Sequence, residues 1–283
     1  MARRENYVGE HDGKTSQMTG NRPFADMVTI VTGGGSGIGQ GVARRFAALG
    51  ATVVIADIDM SAAEAAAAEV RGSGVRATAF HVDVANAASV DELIAAVVTD
   101  HGRIDHLVNS AGVSGGTSLA ELTEAEYARV MDIDLGGVYR VSRAAAPHLV
   151  ATGQGAIVNI SSVMAWFSAK GYVAYSGAKA GVLGMTRALA LDLGPNVRVN
   201  AISPGYIDTA IWQAQLDAME PAAAAARAEE VRARHPVGRR GVPDDVSATA
   251  AFLCSHDASF ITGIEIVVDG GMSANALALA GGY

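Results

Sequence analysis

Tyr175 stands four residues before Lys179, and Ser162 lies thirteen residues upstream of the tyrosine. A four-residue step puts two side chains on one helix face, one turn apart. A phenol has an ordinary pKa near 10, too high for proton transfer close to neutrality. A fixed cation about 5 Å away, at an effective dielectric near 20, stabilises a phenolate by roughly 3 kcal/mol. The pair is therefore suited to general acid–base work, with a serine hydroxyl available to hydrogen-bond a reacting oxygen. The chain has seven tyrosines and three lysines, Lys14, Lys170 and Lys179. A single match at this spacing would arise in about 7% of shuffled chains, so the surrounding order of motifs decides its meaning.

Positioning such a trio takes a scaffold, and one is legible from residue 27, where short apolar runs alternate with longer helical stretches. MVTIV at 27–31, ATVVIAD at 51–57, RATAFHV at 76–82, IDHLVN at 104–109, GAIVNIS at 155–161, VRVNAIS at 197–203 and IEIVV at 264–268 read as strands. Runs without polar alternation imply strands covered on both faces, hence a parallel sheet. Ser61 with Glu64, and Thr123 with Glu126, have capping-box spacing. Pro243 followed by Asp244 and Asp245 opens a late helix. The expected fold class is α/β, with a single Rossmann-type doubly wound domain over 24–283, a seven-stranded parallel sheet and helices on both faces. Residues 1–23 read as a flexible extension.

VTIVTGGGSGIG runs from the first strand through glycines into a helix beginning near Gly37. Gly33 permits the tight turn, Gly37 lets backbone N–H groups approach a pyrophosphate, and Gly39 lets the helix pack on the strand. Asp57 ends the second strand, where a carboxylate would bind adenosine ribose hydroxyls and repel a 2′-phosphate. Ser36 occupies a loop position where a basic residue would have welcomed that phosphate. Together they predict NAD rather than NADP. Asp83 after the third strand and Asn109-Ser110-Ala111-Gly112 after the fourth lie at the carboxyl edge, the first facing adenine and the second flanking ribose.

Composition excludes other classes. A formal charge of −8 argues against a nucleic-acid or anionic-membrane surface. No stretch approaches the ~20 apolar residues of a membrane span, and the first 22 residues lack the apolar core of a secretory signal. Cys254 is the only cysteine, so no internal disulfide forms, which suits a reducing cytoplasm. Its place in the run AAFLC reads as a buried small hydrophobe. No metal-ligating cluster is expected.

With these residues in order, the chain resembles the short-chain dehydrogenase/reductase family over roughly 24–271. The family's TGxxxGxG appears from Thr32-Gly33 through Gly37 and Gly39, its NNAG as NSAG at 109–112, and its catalytic serine, tyrosine and lysine as Ser162, Tyr175 and Lys179. Its PG…T segment, which touches the nicotinamide, corresponds to Pro204, Gly205 and Thr209, with Ile207 between. Gly35, Ile38, Ile58, Val84 and Ala111 complete the cofactor contacts that the resemblance implies. One departure is Asp134, in MDIDLGG, where members usually carry the asparagine of a proton relay. In the family that residue's backbone carbonyl holds the relay water, and a carbonyl survives the change.

The resemblance implies hydride exchange between NAD and a secondary alcohol or ketone. Tyr175 moves the hydroxyl proton, Ser162 steadies the reacting oxygen, Lys179 also holds the nicotinamide ribose, and Asp134 completes the relay. Ser114, Met164, Trp166, Tyr172, Tyr206 and Trp212 are expected around the substrate. Their aromatic share, in a chain with 5% aromatics, suggests an apolar or cyclic molecule. The segment 206–236 reads as a lid. A homotetramer is expected, with Gly177, Gly181 and Gly184 allowing close helix approach. A 3-oxoacyl-thioester reductase of the same family and a non-catalytic NAD sensor stay open as alternatives. An extended-branch epimerase does not, because TGxxGxxG is absent.

Overall fold

A computed structural model describes residues 22–274, and the expected extension, Arg22 and Pro23 apart, lies outside them. The seven apolar runs form β1 (Val28–Thr32), β2 (Thr52–Asp57), β3 (Ala77–His81), β4 (His106–Asn109), β5 (Gly155–Ile160), β6 (Val197–Pro204) and β7 (Glu265–Val268). Every pairing is parallel, in the order β3-β2-β1-β4-β5-β6-β7. The chain reverses direction across the sheet between β1 and β4, and the carboxyl ends on either side open a crevice there.

Between the strands run α1 (Gly37–Ala48), α2 (Met60–Gly72), α3 (Ala87–His101), α4 (Glu124–Met131), α5 (Gly137–Thr152), α6 (Val173–Leu193), α7 (Ala210–Asp217), α8 (Pro221–Ala233) and α9 (Pro243–Cys254). Successive strand side chains alternate between faces, so each central strand feeds two cores. Val31, Val53 and Ile55 pack against α1, α2 and α9, while Ile30, Val54 and Ala56 pack against α3, α5 and α6. This two-sided burial is why the central strands are uniformly apolar. β3 and β7 stand at the sheet edges and are only partly covered.

Thr123 caps α4 by accepting the Glu126 N–H, and Pro243 begins α9, where Asp245 takes the Val242 N–H. At α2 the cap is Asp59, not Ser61. Its carboxylate accepts the backbone N–H groups of Ser61 and Ala62, placing Ser61 inside the first turn. A carboxylate two residues earlier outcompetes the serine because it suits the positive helix end.

Two buried polar features brace the crevice. The Thr32 hydroxyl accepts from the N–H groups of Ser110 and Ala111, tying β1 to the turn after β4. Asn109 donates to Ser142 and Asn159, and Asn159 donates to Thr186, joining β4, β5, α5 and α6. Between α4 and α5 the chain widens into a π-helical turn at Asp132–Gly136. Such turns are single-residue insertions that often mark functional sites.

Candidate active site

A single cavity of about 820 Å³ runs along the carboxyl edge, from Asp57 at one end to Trp212 at the other. The glycine turn forms its floor at the first end. Gly33 has φ +64°, and a Cβ there would strike Ala111 at 2.7 Å. A Cβ on Gly39 would run into the Gly33 carbonyl, so helix α1 can start this close only without one. Asp57 accepts the Gly35 N–H at 2.9 Å and the Asp59 N–H at 3.0 Å. The carboxylate therefore fastens the glycine loop and also reaches the cavity. A dinucleotide fits this cradle: it offers backbone N–H groups for a pyrophosphate and a carboxylate for a ribose.

Ser36, Gly37, Ile38, Asp83, Val84, Ala111, Gly112, Pro204, Gly205, Ile207 and Thr209 all face this cavity, and Ile58 lies exposed at its rim. Gly35 and Asn109 do not line it. Gly35 packs on Ala62, and the Asn109 side chain is committed to the polar layer beneath.

The proton-transfer group is built by β5 and α6. Ser162 follows β5 and Tyr175 sits in the first turn of α6, both on the cavity wall. The Ser162 hydroxyl oxygen accepts the Met164 N–H at 3.1 Å, which leaves its O–H free to donate outward. Lys179 lies beneath, 5% exposed, with Nζ 5.5 Å from the Tyr175 ring centroid. It donates to the Ile160 carbonyl at 3.2 Å and pairs with Asp134 Oδ2 at 3.1 Å. Burial pulls its pKa down, but the Asp134 carboxylate and the Tyr175 oxygen outweigh that and hold it above the ordinary lysine value. Lys179 is thus an ammonium throughout the working range.

Asp134 comes from the π turn and is fully buried, and its other oxygen accepts the Val113 N–H at 2.8 Å. A Cβ on Gly112 would meet Asp134 at 3.2 Å and Lys179 at 3.3 Å, so that glycine keeps room for the ion pair.

At the far end Ser114, Met164, Tyr172, Tyr206 and Trp212 line the cavity. Tyr172 meets Tyr175 edge-to-face at 6.2 Å, and Tyr206 meets Trp212 at 5.4 Å. Trp166 does not join them. The 3₁₀ turn Val163–Ala165 carries it to the outer surface, 66% exposed, where its indole N–H bonds the Glu265 carboxylate. Sequence reasoning missed Arg129, Gln215, Arg227 and Arg234, which face the cavity from α4 and from the α7–α8 segment. Cys254 is buried as expected, and its thiol is pushed up to about 12 by burial. Among the described residues no cluster could hold a metal ion and no helix is long and apolar enough to cross a membrane.

A family model described as "Enoyl-(Acyl carrier protein) reductase" matches residues 33–273. The chain is 41% identical to cis-4-hydroxycyclohexanecarboxylate dehydrogenase of Sinomonas cyclohexanicum, over 89% of this chain and 98% of that protein. It is 39% identical to (2S)-[(R)-hydroxy(phenyl)methyl]succinyl-CoA dehydrogenase subunit BbsD of Thauera aromatica, over 87% and 96%. The crystal structure of gox2181 superposes with a TM-score of 0.82 at 32% identity, covering 89% of this chain and 98% of the other. With the glycine turn and the serine–tyrosine wall in one cavity, and Lys179 behind that wall rather than lining it, the chain belongs to the short-chain dehydrogenase/reductase family and is a nicotinamide-dependent oxidoreductase of CH–OH groups.

Proposed function

We propose that this protein is an NAD-dependent dehydrogenase that interconverts a cyclic secondary alcohol and its ketone. The observation that carries the reading is the charged, buried Lys179 behind Tyr175, while Tyr175, Ser162 and Asp57 line one cavity. Bound along the glycine turn, the nicotinamide supplies the hydride acceptor or donor. In oxidation the Tyr175 oxygen accepts the proton of the substrate hydroxyl, and in reduction it returns it. Ser162 donates its free O–H to the same substrate oxygen and offsets the charge that builds there. Lys179 stabilises the phenolate state, while Asp134 limits that pull and fixes the ammonium in place.

Asp57 favours NAD because a 2′-phosphate would meet a carboxylate already committed to the glycine loop. A ring-bearing substrate suits the aromatic far wall. The two relatives above are named for substrates with a hydroxyl on or beside a ring. Relatives named 3-oxoacyl-[acyl-carrier-protein] reductase, 35% and 36% identical to this chain, favour a second reading, reduction of a 3-oxoacyl thioester. The proposal extends to a homotetramer in the cytoplasm. Tyr139 on α5 and Val173 and Leu191 on α6 leave apolar surface exposed, and a single cysteine suits a reducing compartment.

The test is spectrophotometric. Cyclic secondary alcohols with NAD should give reduced cofactor with higher kcat/KM than with NADP, and 3-oxoacyl thioesters should be poorer partners. Tyr175→Phe should lower kcat by about three orders of magnitude or more while NADH affinity stays close to wild type. A Phe variant of wild-type rate removes the role assigned to Tyr175. NADH binding without turnover of any alcohol or ketone would favour a sensor.

A further inference from the structure

The chain is acidic, with a net charge of −8, yet the far end of its cavity is lined by cations. Arg129 reaches it from α4, and Arg227 and Arg234 reach it from α8 and the residue after it. The carboxylates on the cavity wall do not balance them. Asp57 and Asp83 stand at the glycine-loop end, and Asp134 is paired with Lys179.

The local bonding leaves a surplus of positive charge. Arg227 Nη1 donates to Glu230 at 2.8 Å, and Nη2 donates to the Tyr206 hydroxyl at 3.1 Å. The other Glu230 oxygen takes Arg234 Nη2 at 2.5 Å. One carboxylate thus lies between two guanidinium groups, and one positive charge is uncompensated. Arg129 forms no ion pair among the described residues. A guanidinium has five N–H donors in a planar fork, so both lid arginines keep donors to spare. Tyr206 fixes Arg227 in place, with the guanidinium 5.8 Å from the ring centroid. Apolar walls at Met164, Phe167 and Trp212 lower the local dielectric and strengthen any ion pair formed there.

We propose that the substrate carries a carboxylate, held by Arg227 and Arg234 of the α7–α8 segment, while its secondary hydroxyl meets Ser162 and Tyr175. This rests on the dehydrogenase reading for the second half of the statement and on the arginines alone for the first. The two cationic groups then set which alcohols enter: a neutral alcohol of the same shape leaves surplus charge unmatched beside apolar walls.

The test separates the two halves. The NAD-loaded enzyme is titrated calorimetrically with cyclohexanecarboxylate and with its near-isosteric neutral partner, cyclohexanecarboxamide. The carboxylate should bind at least about tenfold tighter, as a charge-assisted hydrogen bond implies. The preference should shrink as salt is raised. Arg227→Gln and Arg234→Gln should each remove most of it, and Glu230→Gln, which frees both arginines, should enlarge it. Equal affinity for the two probes, no binding of the carboxylate at millimolar concentration, or a preference that survives both arginine variants overturns the proposal. Turnover is measured separately on matched hydroxy acids and hydroxy amides. A carboxylate preference without reduced cofactor from any alcohol sinks the dehydrogenase reading and leaves the anion site standing.

Discussion

Asp134 lies 3.1 Å from Lys179 and is fully shielded from water, so the charge beneath Tyr175 is an ion pair rather than a lone cation. A carboxylate there steadies the ammonium and weakens its hold on the neighbouring phenol. Asparagine could still accept the Val113 N–H, and Lys179 would keep the Ile160 carbonyl. Asp134→Asn should therefore stay active, with the rising limb of its kcat/KM profile moved down by about one pH unit, since the phenolate then faces an uncompensated cation. A folded but inactive variant would show that the carboxylate itself is needed. Much of this is legible in the sequence, because Tyr175 and Lys179 share one face of one helix and Ser162 and Asp134 sit at set places in short motifs. The Arg227 and Arg234 roles are not. On an alanine-rich helix two arginines read as a solvated face, and only the return of the chain over the crevice brings them to the cavity. Trp166 erred in the other direction: nearness in sequence to Ser162 promised a place at the substrate, and one short 3₁₀ turn sent it outside.

Among the elements, β1 and β4 hold a buried histidine that ties stability to pH. His106 is 2% exposed, shares a hydrogen bond of 3.1 Å with Thr29 Oγ1 and packs against the rings of Phe24 and Phe46. Burial lowers its pKa to about 4, against 6.5 for the free group. Above pH 6.5 neither the folded nor the unfolded chain is protonated there, so the group is silent. Between 6.5 and about 4 the unfolded chain takes up a proton that the folded chain refuses, and stability falls as pH falls. The loss amounts to about 3 kcal/mol at the acid end of that window. Denaturant titrations at pH 7 and pH 4.5 should show it, and His106→Gln should flatten the difference whatever it does to stability at neutral pH. An unchanged slope would remove His106 from the account. The strands were readable because two-sided burial demands uninterrupted apolar runs. The π turn was not, since nothing in MDIDLGG distinguishes a widened turn from a continuous helix. Gly181 also makes room inside its own chain: a Cβ there would meet Leu135 of that turn at 2.9 Å.

For the molecule as a whole, the sequence pattern predicts seven parallel strands, helices on both faces and ligands at the carboxyl edge, while the strand order and the crevice between β1 and β4 come from the structure. What the pattern also does not predict is the distribution of charge. An overall excess of acid surrounds a cavity end that is locally basic, and this emerges only when the fold brings Arg129 of α4 and Arg227 of α8 to one cavity. The aromatic side chains are divided in the same way. The chain has two tryptophans: Trp212, 7% exposed, in the cavity wall, and Trp166 on the outer surface against Glu265. That division gives the enzyme an internal optical gauge. With Trp166 changed to phenylalanine, all indole emission arises from the ligand side of the α7–α8 segment. Iodide quenching of that emission, followed as ligands are added, then reads how far the segment seals the crevice, with no label attached.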